Sequence, residues 1–410
     1  MHPPAQIRNI PSVPRLDPQT QKQLGLASAI AVVTGESIAL GIFLTPAAMA
    51  KSLGSPLLLA CVWLGMAAMA MAGALCYTEL AIRFPKSGGE YVYLRAGYGD
   101  HIAFLYGWMS SIVMYPGVAA ALAVGATPYL AQVLPLGSKS LAVAPFLLLC
   151  LLGAINILGT RLSATVMSSV NILKIAVIFA LVGWAAISGH AHWSNLLPLT
   201  VRRPGSDALF PAIAGGIISA AFLAVLPIEQ MTSNTAFVAQ FGAALFGIAG
   251  ARVLSVCVLL CVFGGLAALT MAAPRVCYAM ANSGAFFPAF ARLHPRFGSP
   301  VNAILLQTGL SLAVLLLGAF DRVLAFIIFS AVVFLGITVS TLFRMKDPVR
   351  GWWFPFAPIL FLVCCAIIAL LILMHDPQPA LIGVVIVLSG IPLRKIFAPV
   401  SNPQLTAERG

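Results

Sequence analysis

The sequence predicts an all-α polytopic membrane protein, and three observations support that fold class. The 410-residue chain is 60% hydrophobic and only 8% charged, with a mean hydropathy of +1.00. A soluble domain needs far more charge to cover its surface. Apolar runs of about 20 residues recur, each long enough to cross a hydrocarbon core of about 30 Å. Charged residues fall mostly between those runs. We therefore expect one membrane domain whose spans are all helices, since backbone in lipid must satisfy its own hydrogen bonds.

The apolar runs give the order of the elements. A polar, proline-rich cytoplasmic tail, 1–25, is followed by a single transmembrane domain, 26–396, and a cytoplasmic tail, 397–410. The domain contains an irregular region, 207–250, that is too polar and broken for ordinary spans. The predicted spans are 26–50, 56–82, 102–131, 141–158, 163–188, 251–273, 301–319, 322–343, 354–374 and 377–393.

The lysines and arginines predict the orientation of the spans. With the N-terminus inside, most basic residues face the cytoplasm, as the positive-inside rule requires. In the first half the expected cytoplasmic group is Arg8, Arg15, Lys22, Arg83, Lys86, Arg95 and Arg161. The basic residues expected outside are Lys51, Lys139, Arg202, Arg203, Arg252 and Arg322. In the second half the expected cytoplasmic group is Arg275, Arg292, Arg296, Arg344, Lys346, Arg350, Arg394, Lys395 and Arg409. Span 251–273 must then begin outside, where span 163–188 ends, so the region 207–250 crosses the membrane zero or two times. We expect a multi-pass protein of the bacterial inner membrane with both termini cytoplasmic.

Composition also excludes several function classes. The net charge of +12 follows from the positive-inside bias, and no basic stripe with interleaved aromatics predicts nucleic-acid binding. The eight cysteines show no metal-ligand spacing with histidines and are typical of small packing residues. The acids and histidines are scattered and form no catalytic constellation. We expect no enzyme activity, no cofactor and no metal.

The first span contains residues that break the helical pattern. The stretch TGESIALGIFLTP, 34–46, holds Gly35, Glu36, Gly41 and a closing proline. Such glycines can simply allow close helix contact, as small residues often do in membrane helices, and we expect this role of Gly73 and Ala67 in the next span. Alternatively the helix unwinds at mid-membrane, where its free N–H and C=O groups would bind the two ends of a zwitterion. Glu36 favours a cavity, because a carboxylate at that depth is costly.

Two further features interrupt the apolar pattern. Lys174 lies far from either end of span 163–188, where snorkelling is difficult, and predicts a structural or coupling cation. Glu79 and Arg83 close the second span in YTELAIRFPKSGGEYVYL. This pair predicts a cytoplasmic gate or a loop-anchoring ion pair, or alternatively a solvated helix end that is followed by a turn at 86–89.

Three motifs resemble a known family. They are GESIALGIFLTP, YTELAIRFPKSGGEYVYL and PRVCYAMANSGAFFPAFARLHPRFGSPVNAI. All three look like amino-acid permeases of the amino acid–polyamine–organocation (APC) superfamily, in particular its L-type amino-acid transporter branch, and the resemblance covers most of 20–345. It implies a leucine-transporter-type inverted-repeat fold plus two C-terminal helices. It also implies a sodium-independent permease or exchanger for amino acids or related small zwitterions.

The resemblance implies a substrate site as well. In the family, N–H groups of the first break bind the substrate carboxylate, and nearby carbonyls take its amino group. The matching positions are Gly35, Glu36, Ser37, Ile38, Ala39, Leu40, Gly41 and Ile42. Ala39 stands where the family has a glycine, which unwinds more readily, and Leu40 replaces a small hydroxyl residue. Phe222 would cap the site. Lys174 matches a family lysine that lies where sodium-coupled relatives hold an ion, and we expect it near Glu36.

The largest departure from the family concerns spans six and seven. GGIISAAF, 215–222, runs directly into LAVLPIEQMTSNTAFVAQFGAALFG, which resembles the outer end of span seven. Compared with the family, this chain lacks enough sequence to form nearly two membrane helices. That absence agrees with the even number of crossings. We expect a shallow or re-entrant segment at 208–230 with no true crossing. The alternative function is a non-transporting remnant or a ligand-sensing membrane protein.

The loop after span three bears on partners. Mammalian members of the branch join a partner subunit through a cysteine there, and 132–140 contains none. We expect an amino-acid-like substrate and the lipid bilayer as partners, without a disulfide-linked subunit. Homo-oligomerisation stays open.

Overall fold

The described part of the chain is entirely helical apart from its connecting turns. The computed structural model describes residues 55–85, 88–159, 237–317, 320–345, 351–375 and 377–396, and isolated positions between 169 and 187. Within these residues, five helices are long and apolar enough to cross a membrane. The prediction of an all-α polytopic membrane protein is confirmed.

The helices follow one another with short connections. α1 is Pro56–Arg83, α2 is Glu90–Tyr98 and α3 is Asp100–Met109, which a π-helical turn, Ser110–Met114, joins to α4, Tyr115–Gly125. α5 is Thr127–Val133, α6 is Ser138–Ile157 and α7 is Phe237–Asn282. α8 is Val301–Leu317, α9 is Phe320–Ser340, α10 is Phe356–His375 and α11 is Pro377–Ile396. Two short 3-10 turns lie at Pro288–Ala291 and Thr341–Arg344.

Each span predicted within the described part falls on a helix, although the ends differ and three of these apolar helices, Val301–Leu317, Phe329–Arg344 and Leu381–Arg394, are shorter than a full span. The run Asp100–Val133 forms a single 34-residue apolar unit, where we predicted 102–131. α7 is longer than the predicted 251–273, because helix already begins at Phe237 and continues through a kink at Gly247 (φ 65°). The last residues of the predicted irregular region are therefore helical.

Close helix packing holds α1 against α10. A Cβ atom built on Gly73 would lie 2.6 Å from the ring of Phe361, so the two helices approach at a distance that only glycine permits. The predicted packing role of Gly73 is confirmed, whereas that of Ala67 is wrong, because Ala67 lies on the exposed face of the helix. Leu64 and Met71 of the same helix are also exposed, as expected of side chains that face lipid.

Three of the basic residues predicted to be cytoplasmic, Arg83, Arg344 and Arg394, lie together at one end of the bundle. Arg83 at the end of α1 approaches Met345, which follows α9. The Arg344 guanidinium lies 4.6 Å above the ring centre of Tyr98 at the end of α2. Near the end of α11, Arg394 contacts His101 at the start of α3. We call this the basic end, formed by the last turns of α1, α9 and α11 with α2 and the start of α3.

Candidate functional site

The predicted gate residues Glu79 and Arg83 form an ion pair within α1. Arg83 Nη2 lies 2.6 Å from Glu79 Oε1, and Arg83 Nε donates to the same oxygen at 2.7 Å. The two side chains are 21% and 23% exposed. Pairs at this spacing on an accessible helix contribute about 0.3–0.5 kcal/mol. The pair thus lies at the basic end, where it neutralises Glu79 locally.

A glycine turn places Glu90, a second glutamate of the same motif, within the helix bundle. Gly88 (φ 124°) and Gly89 (φ 51°) adopt backbone conformations that residues with a side chain rarely reach. They form the second half of the turn predicted at 86–89, whose first two residues lie outside the described part of the chain, and α2 starts at Glu90. α2 lies between the spanning helices α1 and α3 in sequence, and it packs against α3, α7 and α9.

Glu90 is held by hydroxyl groups from two membrane spans. Tyr77 of α1 donates a short hydrogen bond to Glu90 Oε1. The hydroxyl of Tyr106 in α3 also hydrogen-bonds the carboxylate, and only 2% of Tyr106 is exposed. The hydroxyl of Tyr115, at the start of α4, is 3.4 Å from that of Tyr106. We call these four residues, Tyr77, Glu90, Tyr106 and Tyr115, the Glu90 site.

Aromatic rings pack around the site, and Glu90 itself is half-buried. The ring of Tyr93 is 6.3 Å from that of Tyr77, and the ring of Phe334 is 5.5 Å from that of Tyr106. Burial raises the pKa of Glu90 from its ordinary value of 4.5, and the hydrogen bonds from Tyr106 and Tyr77, which lower the pKa, offset this only in part. The site therefore favours a protonated carboxyl more than a solvated glutamate does.

A polar cluster fixes the π-helical turn that separates α3 from α4. Gln307 of α8 donates through Nε2 to the carbonyl of Ser111 at 2.7 Å, and the same nitrogen is 3.5 Å from Cys277 Sγ. Ser311 Oγ donates to the carbonyl of Gln307 at 2.9 Å. All four residues are buried. π-helical turns inside α-helices are frequent at functional sites, and this turn precedes Tyr115 of the Glu90 site.

The substrate-site residues implied by the resemblance lie outside the described part of the chain. They are Gly35, Glu36, Ser37, Ile38, Ala39, Leu40, Gly41, Ile42, Phe222 and Lys174. The expected shallow segment at 208–230 lies outside it too. Their roles stay predictions.

Sequence reasoning did not single out Glu90. The residue sits in the quoted motif YTELAIRFPKSGGEYVYL, but the turn glycines before it suggested a loop. The available signal was a lone carboxylate in the tyrosine-rich run EYVYL, because a carboxylate buried among aromatic residues needs hydrogen-bond donors. Tyr106, the partner from α3, could not be chosen by sequence spacing.

Comparison with known proteins identifies the family. The family described as "Amino acid permease" matches residues 24–215 and 208–391. The chain belongs to the amino acid permease family. It is therefore related to transporters and not to enzymes. The resemblance to APC permeases, drawn above from three motifs, is confirmed.

Individual relatives are distant but cover nearly the whole chain. The serine/threonine exchanger SteT of Bacillus subtilis (strain 168) is 26% identical over 423 residues, covering 91% of this chain and 96% of SteT. Human Asc-type amino acid transporter 1 is 25% identical, covering 91% of this chain and 82% of its own length. Human large neutral amino acids transporter small subunit 2 is 25% identical, covering 91% and 80%. The latter two support the similarity to the L-type branch.

Proposed function

We propose that this permease is a sodium-independent secondary transporter that moves amino acids or related small zwitterions by alternating access, as a permease or an exchanger. The observation that carries the proposal is the family match over nearly the whole chain. The names of the relatives add exchange of serine and threonine and transport of neutral amino acids as the substrate chemistry to try first.

The site proposed for the substrate is the broken first span. Gly35 and Gly41 would bracket free N–H and C=O groups for the carboxylate and amino group of a zwitterion. Phe222 would cap the bound molecule. Lys174 would supply the cation that removes the need for sodium, in contact with the first span near Glu36.

A non-transporting protein is the second candidate, and a specific observation favours considering it. The alignment with SteT is 423 residues long although this chain has 410, so positions of SteT have no counterpart here. The two segments that match the family meet at 208–215, within the region where spans six and seven are expected to be shortened. Loss of half a substrate site would leave a remnant or a ligand sensor.

Uptake into proteoliposomes tests the proposal. We expect labelled serine, threonine or a large neutral amino acid to enter vesicles preloaded with unlabelled amino acid, at the same rate in sodium and in choline buffer. A sodium requirement would contradict the role given to Lys174. Absence of uptake, together with no ligand-induced thermal shift for any of the common amino acids, would favour the non-transporting candidate.

Lysine variants provide a matched control within that experiment. Lys174→Ala removes the proposed mid-membrane cation and is expected to abolish uptake and binding. Lys139→Ala removes an exposed lysine in the first turn of α6 and is expected to leave both unchanged. Equal activity of the two variants would remove Lys174 from the proposed mechanism.

A further inference from the structure

The Glu90 site joins two membrane spans through one carboxyl group. Tyr77 comes from α1 and Tyr106 from α3, and Glu90 lies on the short helix between them. Any separation of α1 from α3 at the basic end must break at least one of these hydrogen bonds. An opening of the basic end would therefore break hydrogen bonds of the Glu90 site.

The groups that act on Glu90 are hydroxyls and not cations within the described residues. Tyr106 and Tyr77 hydrogen-bond the carboxylate, Tyr93 of α2 lies beside it, and Tyr115 of α4 lies beyond Tyr106. The other charged or titratable groups near this end on the elements around α2 include Cys76, Glu79 and Arg83 of α1, Tyr91, Arg95 and Tyr98 of α2, Asp100 and His101 of α3, Arg275, Cys277 and Tyr278 of α7, Arg344 after α9, Cys365 of α10 and Arg394 of α11. None of these acts on the carboxylate.

The nearby charges at the basic end have partners of their own. Arg83 pairs with Glu79, and Arg95 Nε lies 2.6 Å from Asp100 Oδ1. Arg344 lies over the ring of Tyr98. Lys86 is close to Glu90 in sequence but lies outside the described residues, so it must be tested directly.

We propose that Glu90 is a proton-binding site that holds the basic end of the bundle closed, with a protonated carboxyl in the closed arrangement and an ionised carboxylate once the end opens. The proton passes between Glu90 and water at the basic end, and it returns there when α1 and α3 separate. Proton binding itself does not depend on what the protein transports, whereas its effect on a transport cycle rests on the proposed function.

The direction of the pH effect follows from burial. A carboxyl whose closed environment raises its pKa is stabilised in the protonated form, so closure takes up a proton and opening releases it. The stabilisation is fully present below the ordinary glutamate value and is lost as the pH rises through the raised one. A lower pH at the basic end therefore favours the closed arrangement.

Infrared spectroscopy of the purified protein in lipid nanodiscs tests proton binding without a substrate. The signal is the carbonyl-stretch band of a protonated carboxyl, taken as wild type minus Glu90→Gln at each pH so that the other acids cancel. We expect this band to titrate with a midpoint above 4.5, the ordinary glutamate value. A difference band that has vanished by that pH, or a midpoint below it, would overturn the proposal.

Two further variants separate proton binding from mere structure. Tyr77→Phe keeps the carboxyl but removes a hydrogen bond that stabilises its ionised form, so the midpoint should move to still higher pH. Asp100→Asn removes an exposed acid that pairs with Arg95, and its titration of Glu90 should match wild type. A Tyr77→Phe midpoint equal to wild type, or lower, contradicts the assignment.

The Lys86→Gln variant tests whether Lys86 forms an ion pair with Glu90. We expect its midpoint to equal that of wild type. A band that appears only after Lys86 is replaced would mean that Glu90 is an ion-paired carboxylate, and the proposal would fail.

Uptake measured at several pH values on the basic-end side then separates the two hypotheses. Uptake that slows as that pH falls in wild type, but not in Glu90→Gln, is the expected result if both hold. A titrating band without any uptake would retain the proton site and reject the transport function. Uptake without a titrating band would do the reverse.

Discussion

At the scale of single residues, the two glutamates of one motif show how surroundings decide the role of a side chain. Glu79 is partly exposed and its charge is neutralised by Arg83 one helical turn away. Glu90 instead receives hydroxyl hydrogen bonds from Tyr77 and Tyr106. Because hydroxyls do not neutralise charge, Glu90 stays sensitive to desolvation in a way that Glu79 does not. Of the two glutamates, only Glu90 contacts two membrane spans, so only its protonation state can affect how those spans are held together.

Two glycines of α1 provide a residue-scale test of helix packing. Gly73→Ala would place a methyl group against the ring of Phe361 and should lower the free energy of unfolding by about 1–3 kcal/mol, the usual cost of overpacking. Gly65→Ala meets nothing within 4 Å and should raise stability by about 0.5–1 kcal/mol, since alanine favours a helix. Thermal unfolding in detergent measures both. A Gly73→Ala protein as stable as Gly65→Ala would contradict the close approach of α1 and α10.

At the scale of elements, the π-helical turn depends on a single side chain from α8. Gln307→Leu removes the donor to the carbonyl of Ser111 and leaves that buried acceptor unsatisfied, a loss of about 1–3 kcal/mol. Hydrogen exchange should also become faster over Ser110–Met114. Ser311→Ala is the matched control, because Ser311 bonds only the carbonyl one turn back on its own helix. Equal exchange in the two variants would show that the turn holds itself.

The elements also show what a sequence can and cannot predict. The spans α1, α6 and α10 were predicted within a few residues, because length and hydropathy alone decide which segments cross a bilayer. α2 was not predicted, since its helix depends on a glycine turn and on packing against α3. The Glu90 site was not predicted, because Tyr106 comes close to Glu90 only in the folded protein. The substrate motif at 35–42 rests on resemblance alone.

At the scale of the whole molecule, the basic end ties the charge pattern to the fold. Arg83, Arg344 and Arg394 come from distant parts of the chain, yet they lie at one end of the bundle. The positive-inside rule predicts all three on one side of the membrane from the charge pattern alone. Lys139 and Arg252, which were expected on the opposite side, lie in the first turn of α6 and near the kink of α7. The same argument requires the region 207–250 to cross the membrane an even number of times.

That requirement can be tested at Ser233. If 208–230 is a shallow segment that never crosses, then a cysteine at position 233 faces the outside, and an impermeant thiol reagent should label Ser233→Cys in intact cells. The unmodified protein measures the background from its eight cysteines. Ser138→Cys, at the exposed start of α6, controls for an outer position, and Ser401→Cys, in the predicted cytoplasmic tail, controls for an inner one.

The two controls give each outcome a distinct meaning for the architecture. Labelling of Ser233→Cys that matches Ser138→Cys fits a bundle without the inner halves of spans six and seven, with the downstream helices keeping the orientation of the family. Labelling only after permeabilisation, as for Ser401→Cys, would instead require two short spans through a bilayer that needs about 20 residues for each. In that case the hypothesis that the inner halves of spans six and seven are missing would be wrong. The reason to expect that the protein cannot transport would then also be lost.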